Sequence, residues 1–252
     1  MSKISVDQLN ISLSGRSILQ ELSFQVEKGE FVGLIGPNGS GKSTLLKALD
    51  KSLSRQSGEI HFNGQNIDHL STKEFAKTCA IVAQEHNLAF DFKVIDLVQL
   101  SRFIHHPWYQ GNNQRDAAIV QEALEKVGLV DLQDKNYFNL SGGEQQRVMI
   151  AMALAKQVDI LLMDEPSNHL DINYQLSILK TIKQEGLTVF TSLHDLNLAA
   201  RFCDRLILLN QGSIVLNGPT EEVLTSSQLS QVFKVDIVTN RLPNGCLGIN
   251  YL

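Results

Sequence analysis

Residues 36–46 of the sequence read GPNGSGKSTLL and directly follow a continuous apolar run, FVGLI. The spacing of Gly36, Gly41, Lys42 and Ser43 is that of a phosphate-binding loop between a buried strand and a helix. Glycines in such a loop let backbone N–H groups approach anionic oxygens, and the start of the following helix adds a partial positive charge. The stretch therefore predicts a nucleotide site, and its full spacing disfavours a glycine-rich turn that merely begins a helix.

The side chains of this loop have distinct expected roles. Lys42 can reach the β- and γ-phosphates of a nucleotide, and the hydroxyl of Ser43 can ligate Mg²⁺, with Thr44 next to it. We expect the loop to supply these nucleotide contacts: Gly36, Pro37, Asn38, Gly39, Ser40, Gly41, Lys42, Ser43 and Thr44.

The composition is that of a globular protein with a sizeable core. The chain has 252 residues, of which 43% are hydrophobic and 19% charged. Its formal net charge is −5 and it has no long basic tract, so we expect no nucleic acid partner. No apolar run reaches the roughly 18 residues that a membrane span needs, and the N-terminus lacks the apolar core of a signal peptide. Three distant cysteines without a CxxC pair favour reduced thiols over a disulfide or a metal site.

Alternating strands and helices predict an α/β fold with a mostly parallel sheet. Residues 3–13 and 22–26 alternate apolar and polar, and a hairpin is expected around Asn63-Gly64, which together predict an antiparallel β subdomain. From about residue 90 to 140 the periodicity becomes helical, which indicates an inserted helical subdomain. We expect one domain over 1–252, with a core of 1–85 and 150–235, helices at about 88–148, and a weakly patterned tail at 236–252 that packs on the rest as a strand.

A second acidic motif follows another buried run. ILLMDEP, at residues 160–166, places Asp164 and Glu165 at the carboxyl end of a central strand, where open α/β sheets bind ligands. Asp164 is expected to face the Mg²⁺, and Glu165 to polarise the attacking water as a general base. The alternative is an acidic pair that only ends a strand; the phosphate-binding loop upstream favours the catalytic interpretation.

With these motifs, the sequence LSGGEQQR at residues 140–147 resembles the signature of the ATP-binding cassette (ABC) family. Gln84 in AIVAQE resembles that family's Q-loop glutamine, SNHLD at 167–171 its D-loop, and His194 in TSLHDLN its switch histidine. The resemblance implies ATP as the nucleotide. It also implies that Gln84 senses the γ-phosphate and Mg²⁺, and that His194 orients the lytic water. The implied D-loop residues are Ser167 and Asp171.

The signature stretch also has a physical interpretation. Ser141, Gly142 and Gly143 begin a helix, so their N–H groups form a second anion site. The family resemblance implies a head-to-tail dimer in which each ATP lies between the phosphate loop of one copy and the signature of a second copy. The implied signature contacts are Leu140, Ser141, Gly142, Gly143 and Glu144.

One feature departs from the family pattern. The place of the aromatic residue that usually stacks on adenine is taken by Leu13, with Arg16 nearby. Leu13 offers apolar contact and Arg16 offers a stacking guanidinium. How adenine is recognised stays open at this stage.

The stretch SRFIH at 101–105 and the stretch HDLNLAARFCD resemble the importer subfamily for iron(III)–siderophore, haem and cobalamin. This resemblance implies a permease dimer as membrane partner, an external substrate-binding protein, and a peripheral location on the cytoplasmic face of the inner membrane. His105 and His106 are expected to be solvated and not to bind metal. The alternatives are a soluble ABC ATPase in translation or repair, a scaffold for iron–sulfur cluster assembly, or an exporter.

Overall fold

The computed structural model describes residues 2–83, 90–106, 114–166, 170–242 and 245–252. The strands are β1 (Ser2–Leu13), β2 (Arg16–Glu27), β3 (Phe31–Ile35), β4 (Ser57–Phe62), β5 (Gln65–Asn66), β6 (Cys79–Val82), β7 (Ile160–Asp164), β8 (Thr188–Ser192), β9 (Arg205–Asn210), β10 (Ser213–Pro219), β11 (Ile237–Arg241) and β12 (Leu247–Tyr251). The α-helices are α1 (Lys42–Leu49), α2 (Thr72–Thr78), α3 (Val94–Leu100), α4 (Gln114–Lys126), α5 (Gly142–Ala155), α6 (Ile172–Gln184), α7 (Leu196–Phe202), α8 (Thr220–Thr225) and α9 (Ser227–Phe233). The chain is thus α/β, as the alternation of strands and helices predicts.

The central sheet has six strands in the order β10-β9-β3-β8-β7-β6. From β9 to β6 all neighbours are parallel, whereas β10 runs antiparallel to β9. Every residue of β3 and of β8 is buried, as expected for central strands with both faces covered. The carboxyl ends of β3, β8 and β7 therefore lie side by side at one edge of this sheet.

A second, antiparallel sheet has the order β2-β1-β4-β5 and packs on the central one. Phe24 of β2 stacks on Phe190 of β8 with ring centroids 5.3 Å apart. The hairpin predicted around Asn63-Gly64 is present, with φ of 52° and 78° at these residues. The predicted strand at 22–26 was too short, because a bulge at Glu21 (φ 48°) interrupts the alternation of β2.

Three helices, α3, α4 and α5, come between β6 and β7 and pack against one another. Leu97, Val120, Leu124 and Val148 are among their buried contacts. We propose that they form the helical subdomain expected at about 88–148. Since α5 extends to Ala155 and contacts β6, it also connects this subdomain to the central sheet.

The last residues form more structure than the single strand expected for the tail. β11 and β12 pair antiparallel, and β12 contacts α7. Ile249 is 6% exposed and joins the main core. No helix within the five described ranges is long and apolar enough to cross a membrane.

Candidate nucleotide-binding site

The phosphate-binding loop holds its lysine inward. The amino group of Lys42 donates to the carbonyl oxygens of Gly36 at 2.8 Å and Pro37 at 3.2 Å, and the residue is 6% exposed. Burial lowers the pKa of Lys42, against the opposing effect of Glu165 and Asp164. A phosphate would offer the ammonium a charged acceptor in place of two neutral carbonyls.

The tight packing behind the loop explains its glycines. A Cβ on Gly36 would lie 2.1 Å from the carbonyl oxygen of Leu209, and one on Gly41 would lie 2.6 Å from a methyl of Leu19. Gly41 also has φ 107° and precedes the first residue of α1. A side chain at either position would push the loop away from β2 and β9, so the sequence is restricted to glycine.

A residue that the motif analysis did not identify supports the loop from behind. The N–H of Gly212, in the turn between β9 and β10, donates to the carbonyl of Ser40 at 3.0 Å. A Cβ on Gly212 would meet the carbonyl of Ile18 at 2.1 Å. The Ser40 hydroxyl is buried without a hydrogen-bond partner among the described residues. A phosphate oxygen bound in the loop would provide an acceptor for it. The Gln211-Gly212 pair is an ordinary hairpin turn in sequence, so its second role could not be read there.

The acidic pair at the end of β7 is organised by a serine on the neighbouring strand. The Ser192 hydroxyl donates to Asp164 Oδ1 at 2.6 Å and accepts the Glu165 N–H at 2.9 Å. Asp164 and Ser192 are also paired in the strand register. Glu165 has φ 50°, so the chain turns sharply just after the strand, and its side chain is directed differently from that of Asp164.

His194 and Glu165 are in direct contact. The histidine Nε2 lies within hydrogen-bonding distance of Glu165 Oε1. The His194 side chain is 45% exposed and that of Glu165 is 9% exposed, so the pair extends from the protein interior to the surface. The order β3-β8-β7 places His194, which follows β8, between the phosphate loop and the acids.

Two of the three predicted Mg²⁺ ligands line one cavity. Ser43 at the start of α1 and Asp164 at the end of β7 both line it, and so does Ala83. The third predicted ligand, Gln84, is the next residue along the chain but lies outside the described residues. A hydroxyl and a carboxylate are hard oxygen donors, so the side chains present fit Mg²⁺.

The signature forms a capped helix N-terminus. The Ser141 hydroxyl accepts the Glu144 N–H at 3.4 Å, and the Glu144 carboxylate accepts the Ser141 N–H at 2.8 Å. The Ser141 N–H and the Ser141 hydroxyl, each 2.8 Å from the Glu144 carboxylate, donate to it and lower the pKa of Glu144. Gly142 and Gly143 are the first two residues of α5, so their N–H groups have no partner within the helix. The Ser141 N–H, which was expected to join them in an anion site, instead donates to Glu144.

Two residues that the motif analysis did not single out connect the signature helix to the D-loop region. Gln146 donates to the carbonyl of Pro166 at 3.4 Å, and the Arg147 guanidinium lies 4.1 Å from the ring centroid of Tyr174. Asp171, the second predicted D-loop residue, caps α6 by accepting the Asn173 and Tyr174 N–H groups. Ser167, the first, lies outside the described residues.

The position expected from sequence to lie near adenine is exposed. Leu13 and Arg16 pair across the turn between β1 and β2, and Leu13 is 39% exposed. The two side chains named from sequence as adenine contacts thus belong to one hairpin end. Their role stays a prediction.

The SRFIH stretch, residues 101–105, is buried at its first two residues and exposed at Phe103. Arg102 is 5% exposed and donates to Asp116 at 2.9 Å and to the carbonyl of Ala155 at 2.5 Å. It therefore connects the start of α4 to the end of α5. Phe103, in contrast, is 48% exposed.

The expectation that His105 and His106 are solvated was wrong. His105 Nε2 lies 2.7 Å from the carbonyl oxygen of Lys156, and burial lowers the pKa of this histidine. His106 Nε2 lies 2.6 Å from Asp116 Oδ2. Both side chains belong to the packing around Arg102. No group of three or more metal ligands occurs in the residues that the structure describes.

Comparison with known proteins decides the family. The family model described as ABC transporter matches residues 19–168. This chain belongs to the ABC transporter family. It is therefore an ABC cassette that binds nucleotide and has the ATPase domain of that family.

The cassette is similar over its whole length to curated proteins. It is 38% identical to the iron(3+)-hydroxamate import ATP-binding protein FhuC of Bacillus subtilis (strain 168), across 100% of this chain and 96% of that protein. It is 33% identical to the ferric enterobactin transport ATP-binding protein FepC of Escherichia coli (strain K12), across 92% of this chain and 88% of that protein. Among solved structures, an ABC transporter assigned to the metal-chelate type, in an inward-facing conformation, aligns with a TM-score of 0.85 and 25% identity, across 100% of this chain and 98% of that one.

Proposed function

We propose that this ABC cassette is the ATP-hydrolysing subunit that powers import of a metal chelate through a membrane permease. The main support for this proposal is that three groups lie together at one edge of the central sheet: the phosphate loop, the acidic pair and His194. The similarity to FhuC and FepC supports import as the work that hydrolysis drives.

The hydrolytic step assigns one role to each described group. Lys42 and the loop N–H groups bind the β- and γ-phosphates, and Glu165 accepts a proton from the attacking water. His194, in contact with Glu165, orients that water and the γ-phosphate. Ser43 and Asp164, with Gln84, would hold Mg²⁺, which neutralises developing charge on the phosphates.

Dimer formation by two copies would complete the site. Among the described residues, no hydrogen bond or ion pair joins residues 36–44 to residues 140–144 of the same chain. The free N–H groups at Gly142 and Gly143 form a second anion site that a nucleotide on another copy can fill. ATP would then hold the two cassettes together, and hydrolysis would release them.

The cargo and partners are inferred from the relatives. Iron–siderophore is the first candidate, since the names of FhuC and FepC specify hydroxamate and enterobactin. Haem follows, because a hemin import ATP-binding protein, HmuV of Shewanella denitrificans, is 37% identical across 92% of this chain and 94% of that protein. Cobalamin comes third. An integral membrane permease dimer, two copies of this chain on its cytoplasmic face and an external binding protein make up the proposed system.

The test is capture of the tagged full-length chain from gently solubilised membranes, with partners identified by mass spectrometry. We expect a polytopic permease in near-equal amount, and ATPase activity that rises when loaded binding protein is added. Untagged membranes are the control. A soluble partner set from translation, repair or cluster assembly, with no permease, would overturn import and leave the ATPase intact.

A further inference from the structure

We propose that the C-terminal hairpin, β11–β12, positions the switch histidine, and that Asn197 is the residue through which it acts. The inference rests on the proposed ATPase site and assigns a role to a segment beyond the residues 19–168 matched by the family model. The hairpin would restrain the start of α7, and so fix where His194 meets Glu165. Asn197 is then a positioning residue and not a catalytic one.

The side-chain amide of Asn197 binds β12 as a neighbouring strand would. Its Nδ2 donates to the carbonyl of Ile249 at 3.3 Å, and its Oδ1 accepts the Ile249 N–H at 2.8 Å. Both backbone groups of one buried hairpin residue are thereby satisfied by one side chain. Such a reciprocal pair fixes direction as well as distance, because each bond restrains the other.

Asn197 lies only three residues after His194, and hydrogen bonds restrain the backbone on both sides of this histidine. Asp195 caps α7 by accepting the N–H groups of Asn197 at 2.7 Å and Leu198 at 3.4 Å. On the other side, the N–H of Leu193 donates to the carbonyl of Leu34 at 3.1 Å. His194 is therefore held between β3 on one side and a helix start on the other, and the hairpin restrains that helix start.

The hairpin is also bonded to helices α8 and α9, which precede it in the chain. The Ile237 N–H donates to the Ser230 hydroxyl at 3.0 Å, and Arg241 forms an exposed ion pair with Glu221. Tyr251 approaches Asp195, and its pKa is raised first by burial and then by that carboxylate. The hairpin thus contacts α8 and α9 through β11 and the start of α7 through β12. Its removal would leave the start of α7 less restrained.

The variant Asn197→Ala in the full-length chain removes both bonds. Its matched control is Asn250→Ala, because within the described ranges the exposed Asn250 amide donates its one side-chain hydrogen bond to Asn240, at 2.9 Å, and none to α7. The first readout is amide hydrogen exchange of residues 193–198 without nucleotide. We expect exchange there to rise about 5- to 30-fold in Asn197→Ala, the range that loss of one or two net hydrogen bonds gives, and to stay unchanged in Asn250→Ala.

The second readout is ATP hydrolysis. We expect Asn197→Ala to lower kcat about tenfold with the KM for ATP within about twofold, because a misplaced catalytic group slows chemistry without removing phosphate contacts. In a His194→Ala background, measured by single turnover, the same change should add little, since it acts through the histidine. Asn197→Asp, which keeps the acceptor for Ile249, gives an intermediate effect and serves if the alanine variant is poorly folded.

The outcomes separate this inference from the proposed function. Unchanged exchange at 193–198, or an equal loss of rate with and without His194, would overturn the positioning role while the ATPase stands. A wild-type chain that does not hydrolyse ATP would overturn the proposed function, and the exchange result would still decide whether the hairpin restrains the histidine segment.

Discussion

The hydroxyl of Ser192 lies 2.6 Å from Asp164 Oδ1 and donates a hydrogen bond to it. The same oxygen accepts the N–H of Glu165, so one buried side chain fixes both acidic residues. A carboxylate that accepts such a bond keeps its other oxygen free for a cation. The geometry of the acidic pair therefore depends on a residue 28 positions along the chain.

Replacement of Ser192 by alanine should lower ATP hydrolysis about 10- to 100-fold, because Asp164 loses its restraint and a displacement of about 1 Å can cost this much. It should also destabilise the fold by about 1–3 kcal/mol, since the buried N–H of Glu165 loses its acceptor. Steady-state kinetics and chemical denaturation measure the two effects. Thr191→Val is the matched control: Thr191 is also fully buried, but the hydrogen bond that its hydroxyl makes to a described residue goes to the carbonyl of Ser192 and not to an acidic side chain. Equal activity losses in both variants would contradict a specific role for Ser192.

The change Glu165→Gln tests the general base. The amide keeps the size and polarity of the side chain but cannot accept a proton, so hydrolysis should fall about 10²- to 10⁴-fold. ATP binding should persist, and the ATP-bound dimer should accumulate in size-exclusion chromatography with light scattering. A variant that binds ATP and stays monomeric would contradict the ATP-bridged dimer, whereas full activity would contradict the assignment of Glu165.

Lys42→Ala should weaken ATP binding about 10- to 100-fold, because a hydrogen bond to a charged group contributes about 1.5–3 kcal/mol. Isothermal titration with a non-hydrolysed analogue measures this. Lys180→Ala, at an exposed position of α6 that does not line the cavity of Ser43 and Asp164, also removes one positive charge and should leave affinity nearly unchanged. Unchanged affinity in Lys42→Ala would remove the phosphate-loop assignment.

The sequence alone predicted the buried strands of this site well. Central parallel strands have both faces covered and so appear as apolar runs, such as FVGLI before the phosphate loop and ILLM before Asp164. Gly36 and Gly41 were predictable because their spacing is tied to phosphate binding, and the structure adds the backbone and methyl groups that exclude a Cβ there.

What the sequence could not provide was the order of strands in the sheet. Ser192 contacts the acids only because β8 lies between β3 and β7 and pairs Ser192 with Asp164. Arg102 has a charge that favours the surface, yet a buried Asp116 from another helix holds it inside. The C-terminal hairpin was missed because no residue of β11 is fully buried and its sequence, IVTNR, does not alternate between apolar and polar residues.

The signature cap predicts a pH dependence. Hydrogen bonds from Ser141 lower the pKa of Glu144, so its stabilising contribution is fully present above the unfolded-state pKa. It is lost as pH falls through the lower, folded-state pKa. The stability difference between wild type and Glu144→Ala should therefore be constant near neutral pH and shrink below about pH 4, close to the pKa of a free glutamate. Chemical denaturation across this range measures it. A difference that grows on acidification would contradict the cap.

The described part of the chain contains two capping boxes with the same hydrogen bonds, so a pair of matched variants can distinguish a loss of stability from a loss of function. Ser71 and Glu74 begin α2 with the same reciprocal bonds as Ser141 and Glu144 at α5. Each Ser→Ala change should cost about 1 kcal/mol of stability. Only Ser141→Ala should also weaken ATP-dependent dimer formation of a Glu165→Gln background, because only its helix start is proposed to face a nucleotide.

Analytical ultracentrifugation with ATP measures that dimer, and thermal melts confirm that the two serine variants are equally folded. We expect the dimer dissociation constant to rise about tenfold or more with Ser141→Ala, since loss of the cap loosens the first turn of α5 and the Gly142 and Gly143 N–H groups proposed to bind phosphate. Ser71→Ala should match its parent. Equal weakening by both changes would mean that general stability, and not the signature, controls association.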